Sequence, residues 1–147
     1  MRQFFIQPVI IEKAHQGFTI QKNITKYAQF GSMILPLKEL EYKGSSADTL
    51  ITYNAYTSTG AISSYREQGK PVTTLTWGWD DNYLLTQTEG SLVTQYTYDP
   101  QTLYLTRVVQ PNGNYTSYTY DLMGRLSEIK DRNGKLVKKF FYNYTNK

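Results

Sequence analysis

Aromatic and aliphatic residues alternate with polar ones along much of the chain, with a period of two rather than the 3.6 residues of a helix. The alternation is clearest at 115–120 (Tyr-Thr-Ser-Tyr-Thr-Tyr) and is visible upstream at 18–21 and 34–42. Single glycines and Asn-Gly pairs separate these stretches. The pattern predicts short β-strands joined by tight turns, and no Ala-Glu-Lys-Leu run favours a helix.

One short motif recurs at regular spacing. Tyr-Thr-Tyr-Asp at 96–99 returns 22 residues later at 118–121, and returns as Phe-Phe-Tyr-Asn at 140–143 after another 22. Looser versions with aromatic residues before an acid or amide occur at 77–80 and 51–54. Recurrence at a fixed period indicates a fold built from equivalent repeats, which begin near residues 51, 77, 96, 118 and 140.

Each repeat has the layout of a β-hairpin: the motif, a turn, a strand, an Asn-Gly pair and a second strand. Asn112-Gly113 and Asn133-Gly134 are the two clear cases. Asn-Gly is favoured in two-residue type I′ turns because both central positions need a positive φ. We therefore expect type I′ turns inside the hairpins.

The expected fold class is all-β, with consecutive antiparallel β-hairpins forming a curved, partly open sheet. The 147 residues are expected to form a single domain, with degenerate strands over 1–50 and clearer repeats over 51–147. Gly44-Ser-Ser-Ala-Asp48 is the best candidate for a break in the pattern.

Composition and charge exclude several classes of function. The chain has 14 Tyr and no Cys, so disulfides and thiolate metal sites are absent, and its net charge of +4 is spread without the basic tract typical of nucleic-acid binding. No apolar run reaches the roughly 20 residues of a membrane span. Pro8 interrupts the apolar start before a signal-peptide core develops, so we expect any export signal to lie outside this chain.

The segment from Tyr118 to Leu126, Tyr-Thr-Tyr-Asp-Leu-Met-Gly-Arg-Leu, resembles the YD repeat that defines the RHS family. The repeat at 96 matches the aromatic residues and the acid but lacks the Gly-Arg pair, and 60–90 is similar to a stretch of bacterial surface-type RHS proteins. The resemblance implies side-by-side hairpins that in large members close into a shell. Such shells enclose toxins in polymorphic toxins and insecticidal complexes, and related repeats serve adhesion in teneurins. This chain resembles the C-terminal part of such an array, or a stand-alone remnant.

The motif residues are expected to be architectural. They are Tyr96, Tyr98, Asp99, Tyr118, Tyr120, Asp121, Gly124, Arg125, Asn133 and Gly134. Equivalent tyrosines are expected to stack between neighbouring hairpins, and the acid or amide that follows them, Asn143 in the last repeat, to cap the next turn through its side chain. Gly124 would supply an unusual backbone torsion, and Arg125 would pair with the acid of a neighbouring repeat.

Catalytic and metal chemistry finds little support. His15 is the only histidine, so a His-based triad or a His/Cys zinc site is not expected. Asp80 and Asp81 would point to opposite faces of a strand, which argues against an acid–base pair unless they sit in a turn, and they lack the spacing of a calcium loop. Asp99-Pro100 matches only the start of the Asp-Pro-x-Gly self-cleavage site of some RHS proteins. We expect no enzyme activity, cofactor or metal.

Three hypotheses of function remain. The first is a non-catalytic scaffold module of a secreted or cell-surface RHS-type protein, which contacts adjacent repeats of its parent or self-associates through sheet edges; a toxin-delivery shell with its own processing activity is a less favoured version. The second is a module that binds carbohydrate or protein through Trp77, Trp79 and Tyr83, unless these residues are buried in the sheet. The third is an enzyme with two facing carboxylates.

Overall fold

The computed structural model describes residues 9–15, 18–43 and 46–142, with side chains from residue 23 onward. Within these residues the chain forms twelve β-strands and no helix, which confirms the all-β fold class with consecutive antiparallel hairpins. The chain divides into two compact units, Met1–Tyr83 and Leu84–Lys147. The expectation of one domain over 1–147 stays a prediction.

The first compact unit is a run of antiparallel strands, each paired with the next along the chain. Its strands are β1 (Val9–His15), β2 (Phe18–Phe30), β3 (Met33–Lys43), β4 (Ser46–Tyr56), β5 (Ile62–Glu67) and β6 (Val72–Gly78). Strands β2 to β4 have 11 to 13 residues each, longer than the strands that follow. The weak alternation of the first third of the sequence therefore corresponds to its longest strands.

The second compact unit continues the same order of antiparallel neighbours with shorter strands. Its strands are β7 (Tyr83–Glu89, of which Tyr83 belongs to the first unit), β8 (Leu92–Tyr98), β9 (Leu105–Val109), β10 (Tyr115–Tyr120), β11 (Leu126–Lys130) and β12 (Leu136–Lys139). The hairpins β9–β10 and β11–β12 enclose the two Asn-Gly pairs.

The Asn-Gly turns are not of type I′, so this prediction was wrong. A positive φ falls on Gly113 (78°) and Gly134 (77°), but not on the asparagines before them. In the first turn the Gly113 N–H donates to the Gln110 carbonyl at 2.9 Å and the Gln110 N–H to the Asn114 carbonyl at 2.7 Å. This is a three-residue loop, a type I turn followed by a left-handed glycine, in which Pro111 suits the first central position.

The candidate break at Gly44–Asp48 is a hairpin connection. Strand β3 ends at Lys43, which pairs with Ser46 at the start of β4, while Gly44 and Ser45 lie outside the described residues. Asp48 is paired with Glu41 inside the β3–β4 ladder. The sequence pattern therefore weakens between two long strands that pair with each other.

Few side chains of the described residues are deeply buried. In the first compact unit these are Leu40 and Thr73, and in the second Val108. Most other strand residues are half-buried. Main-chain ladders and contacts between neighbouring strands, rather than a thick core, therefore hold each unit together.

Candidate functional site

A hydrogen bond from an aromatic side chain closes the open end of five successive hairpins. The donor lies at the end of the second strand or shortly after it, and the acceptor is a backbone carbonyl near the start of the first strand. We call each such bond a clasp. The clasps are Tyr56 to Pro36 (2.6 Å), Trp77 to Ile62 (2.8 Å), Tyr98 to Leu84 (3.0 Å), Tyr120 to Leu105 (3.0 Å) and Tyr142 to Leu126 (2.8 Å).

The two aromatic residues of the Tyr-x-Tyr motif have different contacts. The first tyrosine lies opposite an aliphatic residue of the next strand: Tyr96 opposite Val108, and Tyr118 opposite Ile129. The second tyrosine forms the clasp, and its ring also packs within its own hairpin. The ring centres of Tyr120 and Tyr104 are 4.8 Å apart, at an interplanar angle of 37°.

The acid after the clasp tyrosine holds the turn that leads to the next hairpin. Asp121 Oδ1 accepts hydrogen bonds from the N–H groups of Met123 and Arg125 at 2.9 and 3.0 Å. The Arg125 side chain donates to Asp121 Oδ2. These bonds, the side-chain bond from Arg125 first, lower the pKa of Asp121 below its ordinary value.

Asp99 occupies the equivalent place one repeat earlier. Its Oδ1 accepts hydrogen bonds from the N–H groups of Gln101 and Thr102 and from the Thr102 hydroxyl, at 2.8 to 3.0 Å. The bonds from Thr102, and then that from Gln101, lower the pKa of Asp99. This loop has Leu103 with a positive φ of 62°, a conformation that glycine adopts at lower cost.

Gly124 has a positive φ of 75° and also a close neighbour. A Cβ atom added at this position would lie 2.1 Å from Tyr104 Oη and 2.8 Å from its Cζ. The loop after the clasp thus approaches the tyrosine of the preceding turn more closely than any side chain would permit.

Arg125 forms its ion pair with the acid of its own repeat, where the sequence predicted a partner in a neighbouring repeat. Its Nη2 lies 2.6 Å from Asp121 Oδ2, and its guanidinium carbon lies 4.1 Å from the centre of the Tyr142 ring. Arg125 therefore connects the turn before its hairpin to the clasp that closes it.

The three residues considered for ligand binding do not form one cluster. Trp77 is half-buried and forms the clasp of the β5–β6 hairpin. Trp79 is 51% exposed, and Tyr83 contacts it edge to face with ring centres 5.1 Å apart. Trp79 is the first of three successive residues with positive φ, followed by Asp80 and Asp81, at 49°, 55° and 63°. Exposed Trp79 and half-buried Tyr83 thus form an aromatic pair.

Asp80 and Asp81 sit in a turn rather than in a strand. Asp81 Oδ2 accepts a hydrogen bond from the Thr59 hydroxyl at 2.5 Å, and the bonds from Thr59 and Thr57 lower the pKa of Asp81. No group of three or more His, Asp or Glu residues that could hold a metal ion occurs among the described side chains. The side chain of His15 and the whole of Asn143 lie outside the described residues.

A half-buried tyrosine pair lies in the first compact unit. Tyr53 donates its hydroxyl to Glu39 Oε1 at 2.5 Å, and Tyr56 forms the clasp to Pro36. Burial, followed by the bond to Glu39, raises the pKa of Tyr53, and burial raises the pKa of Tyr56 to about 12. Both hydroxyls therefore stay protonated and keep donating at neutral pH.

Residues 105–136 match the family model of the RHS repeat. The matched segment covers 32 of the 147 residues. It runs from the start of β9 to the first residue of β12, and it includes the clasp donor Tyr120, Asp121, Gly124 and Arg125. The resemblance found in the sequence is thereby confirmed over this segment, which supports a structural repeat module.

Other comparisons add little. A solved structure of TcdB2-TccC3-Cdc42 is similar at 15% identity and a TM-score of 0.29, over 88% of this chain and 10% of that one. The chain thus spans about a tenth of that chain's length, and a score this low carries no inference. No curated protein sequence matches the chain. The described residues contain no helix that is long and apolar enough to cross a membrane.

The sequence reasoning missed the clasps. Their signal is a tyrosine or tryptophan 14 to 20 residues after a residue near the start of the preceding strand. The acceptor is a main-chain carbonyl, so Pro36 and Ile62 serve as well as Leu84, Leu105 and Leu126. The three leucines recur every 21 residues, but only Leu126 lies in the motif found in the sequence.

Proposed function

We propose that this chain is a non-catalytic scaffold segment of a secreted or cell-surface RHS-type protein, in which it joins further repeats. The observation that carries this proposal is the clasp, which closes five hairpins in succession in the same way. A bond that recurs in five successive hairpins supports a regular array of repeats rather than a single local site. The location rests on the family resemblance.

The acids with lowered pKa support a structural role. Asp99 and Asp121 hold the turns between hairpins, and Asp81 accepts a bond from Thr59 across the first compact unit. Glu128 pairs with Lys130 and Lys139. Each of these acids stabilises the fold locally, and a catalytic role would compete with that bonding.

The β12 edge supports contact with another strand. Within the described part of the second compact unit, β12 pairs with β11 and all four of its residues are exposed, including Leu136 (47%) and Val137 (65%). An edge strand has unpaired main-chain groups, and apolar side chains on it favour pairing with a further strand. We propose that an adjacent repeat of the parent protein, or the edge of a second copy, covers this strand.

Insertion of one additional repeat tests the scaffold proposal. A second copy of residues 99–120, which runs from the turn acid to the clasp tyrosine, is placed between Tyr120 and Asp121. In a repeat array each inserted repeat adds its own interfaces, so the free energy of unfolding and the urea m-value should both rise. Both are measured by urea denaturation followed by circular dichroism.

The control carries the same 22 inserted residues in scrambled order, and its unfolding free energy should fall. If the true repeat destabilises the chain as much as the scrambled insert, the array interpretation fails. A rise seen with the true repeat alone supports it.

A binding module is the second candidate, favoured by the exposed Trp79 ring and its contact with Tyr83. Left-handed backbone at Trp79 is strained for a non-glycine residue and is more common at functional positions. An exposed indole can stack on a sugar ring or on a side chain of a protein partner. A glycan array with the wild type, Trp79→Ala and Trp79→Phe tests the carbohydrate version. Binding lost in the alanine variant but retained by phenylalanine supports it, and equal binding by all three contradicts it.

A further inference from the structure

Two successive turns carry the same set of groups with one difference. In the later turn, Asp121, Arg125 and the clasp donor Tyr142 form a closed set. Arg125 Nε and Nη2 lie 2.8 and 2.6 Å from Asp121 Oδ2, and the guanidinium carbon lies 4.1 Å from the centre of the Tyr142 ring. A carboxylate and a tyrosine ring thus hold a guanidinium group within this repeat.

The earlier turn has the carboxylate and the ring but no arginine. Asp99 and Tyr120 lie one repeat before Asp121 and Tyr142. The Asp99 N–H donates to the Tyr104 carbonyl at 2.9 Å, as the Asp121 N–H does to the Arg125 carbonyl, so Tyr104 occupies the position of Arg125. The Tyr104 ring packs on Tyr120 much as Arg125 lies over Tyr142.

Asp99 is therefore an anion without a cationic partner among the ion pairs of the described residues. All three of its hydrogen bonds from the turn end on Oδ1. The lowered pKa of Asp99 keeps the carboxyl ionised at neutral pH. Its Oδ2 oxygen can accept a charged donor without breaking the turn.

A groove of about 300 Å³ lies beside this carboxylate. Its lining includes Asp99, Asp121, Tyr104, Tyr118 and Tyr120. We call it the Asp99 groove. Tyr104 is 39% exposed, so a ligand can reach the ring from solvent. A carboxylate beside tyrosine side chains forms an environment for a flat cation.

We propose that the Asp99 groove binds a guanidinium group supplied from outside the repeat. A guanidinium ion is planar, donates several N–H bonds in one plane and stacks on aromatic rings, so it matches both the carboxylate and the tyrosines. The next repeat shows the same recognition with its own Arg125. The source is either an arginine side chain of a protein or a free guanidinium compound, and the experiment distinguishes them.

Titration of ¹⁵N-labelled protein with N-acetyl-arginine amide, followed by NMR, tests the site. A single charged group at an exposed carboxylate should bind with a dissociation constant on the order of 1 mM or weaker. Amide shifts are expected in the 99–106 turn and near 118–121. N-acetyl-citrulline amide has the same shape without the charge and should cause little shift. Equal shifts with both compounds, or none with either, would overturn the proposal.

Two variants separate the site from the fold. Asp99→Asn keeps an oxygen acceptor for the turn and removes the charge. The amide shifts caused by N-acetyl-arginine amide should therefore disappear, while the NMR spectrum remains that of a folded protein. Tyr104→Arg supplies the missing cation internally, as Arg125 does, and should block binding while lowering the pKa of Asp99. Unchanged arginine binding by Asp99→Asn would overturn the proposal.

The source of the guanidinium group follows from a second ligand. If a tripeptide with a central arginine binds more tightly than the amide, the site takes an arginine side chain of a protein. If the two bind equally, the site takes a free guanidinium compound. Either result supports the Asp99 groove, and neither bears on the repeat-insertion experiment, whose outcome depends on the hairpins alone.

Discussion

Removal of one clasp hydroxyl should measurably weaken the second compact unit. Tyr120→Phe keeps the ring that packs on Tyr104 and removes only the hydroxyl that donates to the Leu105 carbonyl at 3.0 Å. Both Tyr120 and Leu105 are half-buried, so water can reach the carbonyl after the change. The loss should therefore be the net value of a hydrogen bond, about 1 kcal/mol, rather than the ~3 kcal/mol of a buried unsatisfied group.

Urea denaturation followed by far-UV circular dichroism measures this loss. The midpoint should fall while the m-value stays the same, and the melting temperature should fall by roughly 2–5 °C. Tyr115→Phe is the matched control, because no hydrogen bond of the Tyr115 hydroxyl occurs among the described contacts and Arg107 lies over its ring at 4.5 Å. The control should change stability by less than about 0.5 kcal/mol. Equal effects of the two substitutions would refute the clasp as a stabilising bond.

Three further substitutions test other parts of the structure. Gly124→Ala should cost more than Gly113→Ala in urea denaturation, because both force a side chain into a left-handed backbone, at about 1 kcal/mol, but only the first meets Tyr104; equal costs would contradict the close approach. Tyr56→Phe should reduce the loss of stability between about pH 10 and 12. The hydroxyl of Tyr56 ionises near its ordinary pKa of 10 in the unfolded chain but only near 12 in the folded chain, so its contribution to stability is complete below pH 10 and is lost as the pH rises through about 12. An unchanged alkaline profile would argue against this explanation. Asp121→Asn should reduce the fall in stability below about pH 4. The carboxyl pKa of Asp121 is lower in the folded chain than in the unfolded chain, so the ionised carboxylate stabilises the fold at a pH above its ordinary pKa, and acidification removes that contribution. A wild-type acid profile would contradict the ion pair with Arg125.

The hairpin order could be predicted from sequence because donor residues and turn glycines recur with the period of the fold. The 22-residue spacing of the Tyr-Thr-Tyr-Asp motif places each motif at the end of a second strand, as at 96–99 and 118–121. Alternation alone also located the long strands β2 and β3. These signals are local, so a single sequence carries them.

The turn geometry and the clasps could not be predicted in the same way. Asn-Gly fits both a two-residue and a three-residue loop, and the register of the flanking strands decides between them. In the β9–β10 hairpin Val109 pairs with Tyr115, which leaves five residues in between and a type I turn. The clasp acceptors are main-chain carbonyls, so side-chain type does not mark those of Pro36 and Ile62, although Leu84, Leu105 and Leu126 recur every 21 residues.

The tryptophan pair shows the same limit. Trp77 and Trp79 have the spacing of the Tyr-x-Tyr motif, yet Trp77 makes the clasp and Trp79 is exposed. Three successive left-handed residues from Trp79 onward turn the chain out of the strand. Such backbone torsions depend on tertiary contacts such as that between Asp81 and Thr59.

Because a clasp requires only an aromatic donor and any carbonyl, its partner position is free to change during evolution. The clasp nearest the N-terminus joins Tyr56 to Pro36, far outside the 105–136 segment that the family model detects. A substitution at the acceptor position leaves the carbonyl, and so the hydrogen bond, in place, while it lowers the sequence similarity to the family. Hairpins of this architecture can therefore outlast the sequence signature by which they are found, and arrays of them should be longer than the repeats that a residue pattern counts.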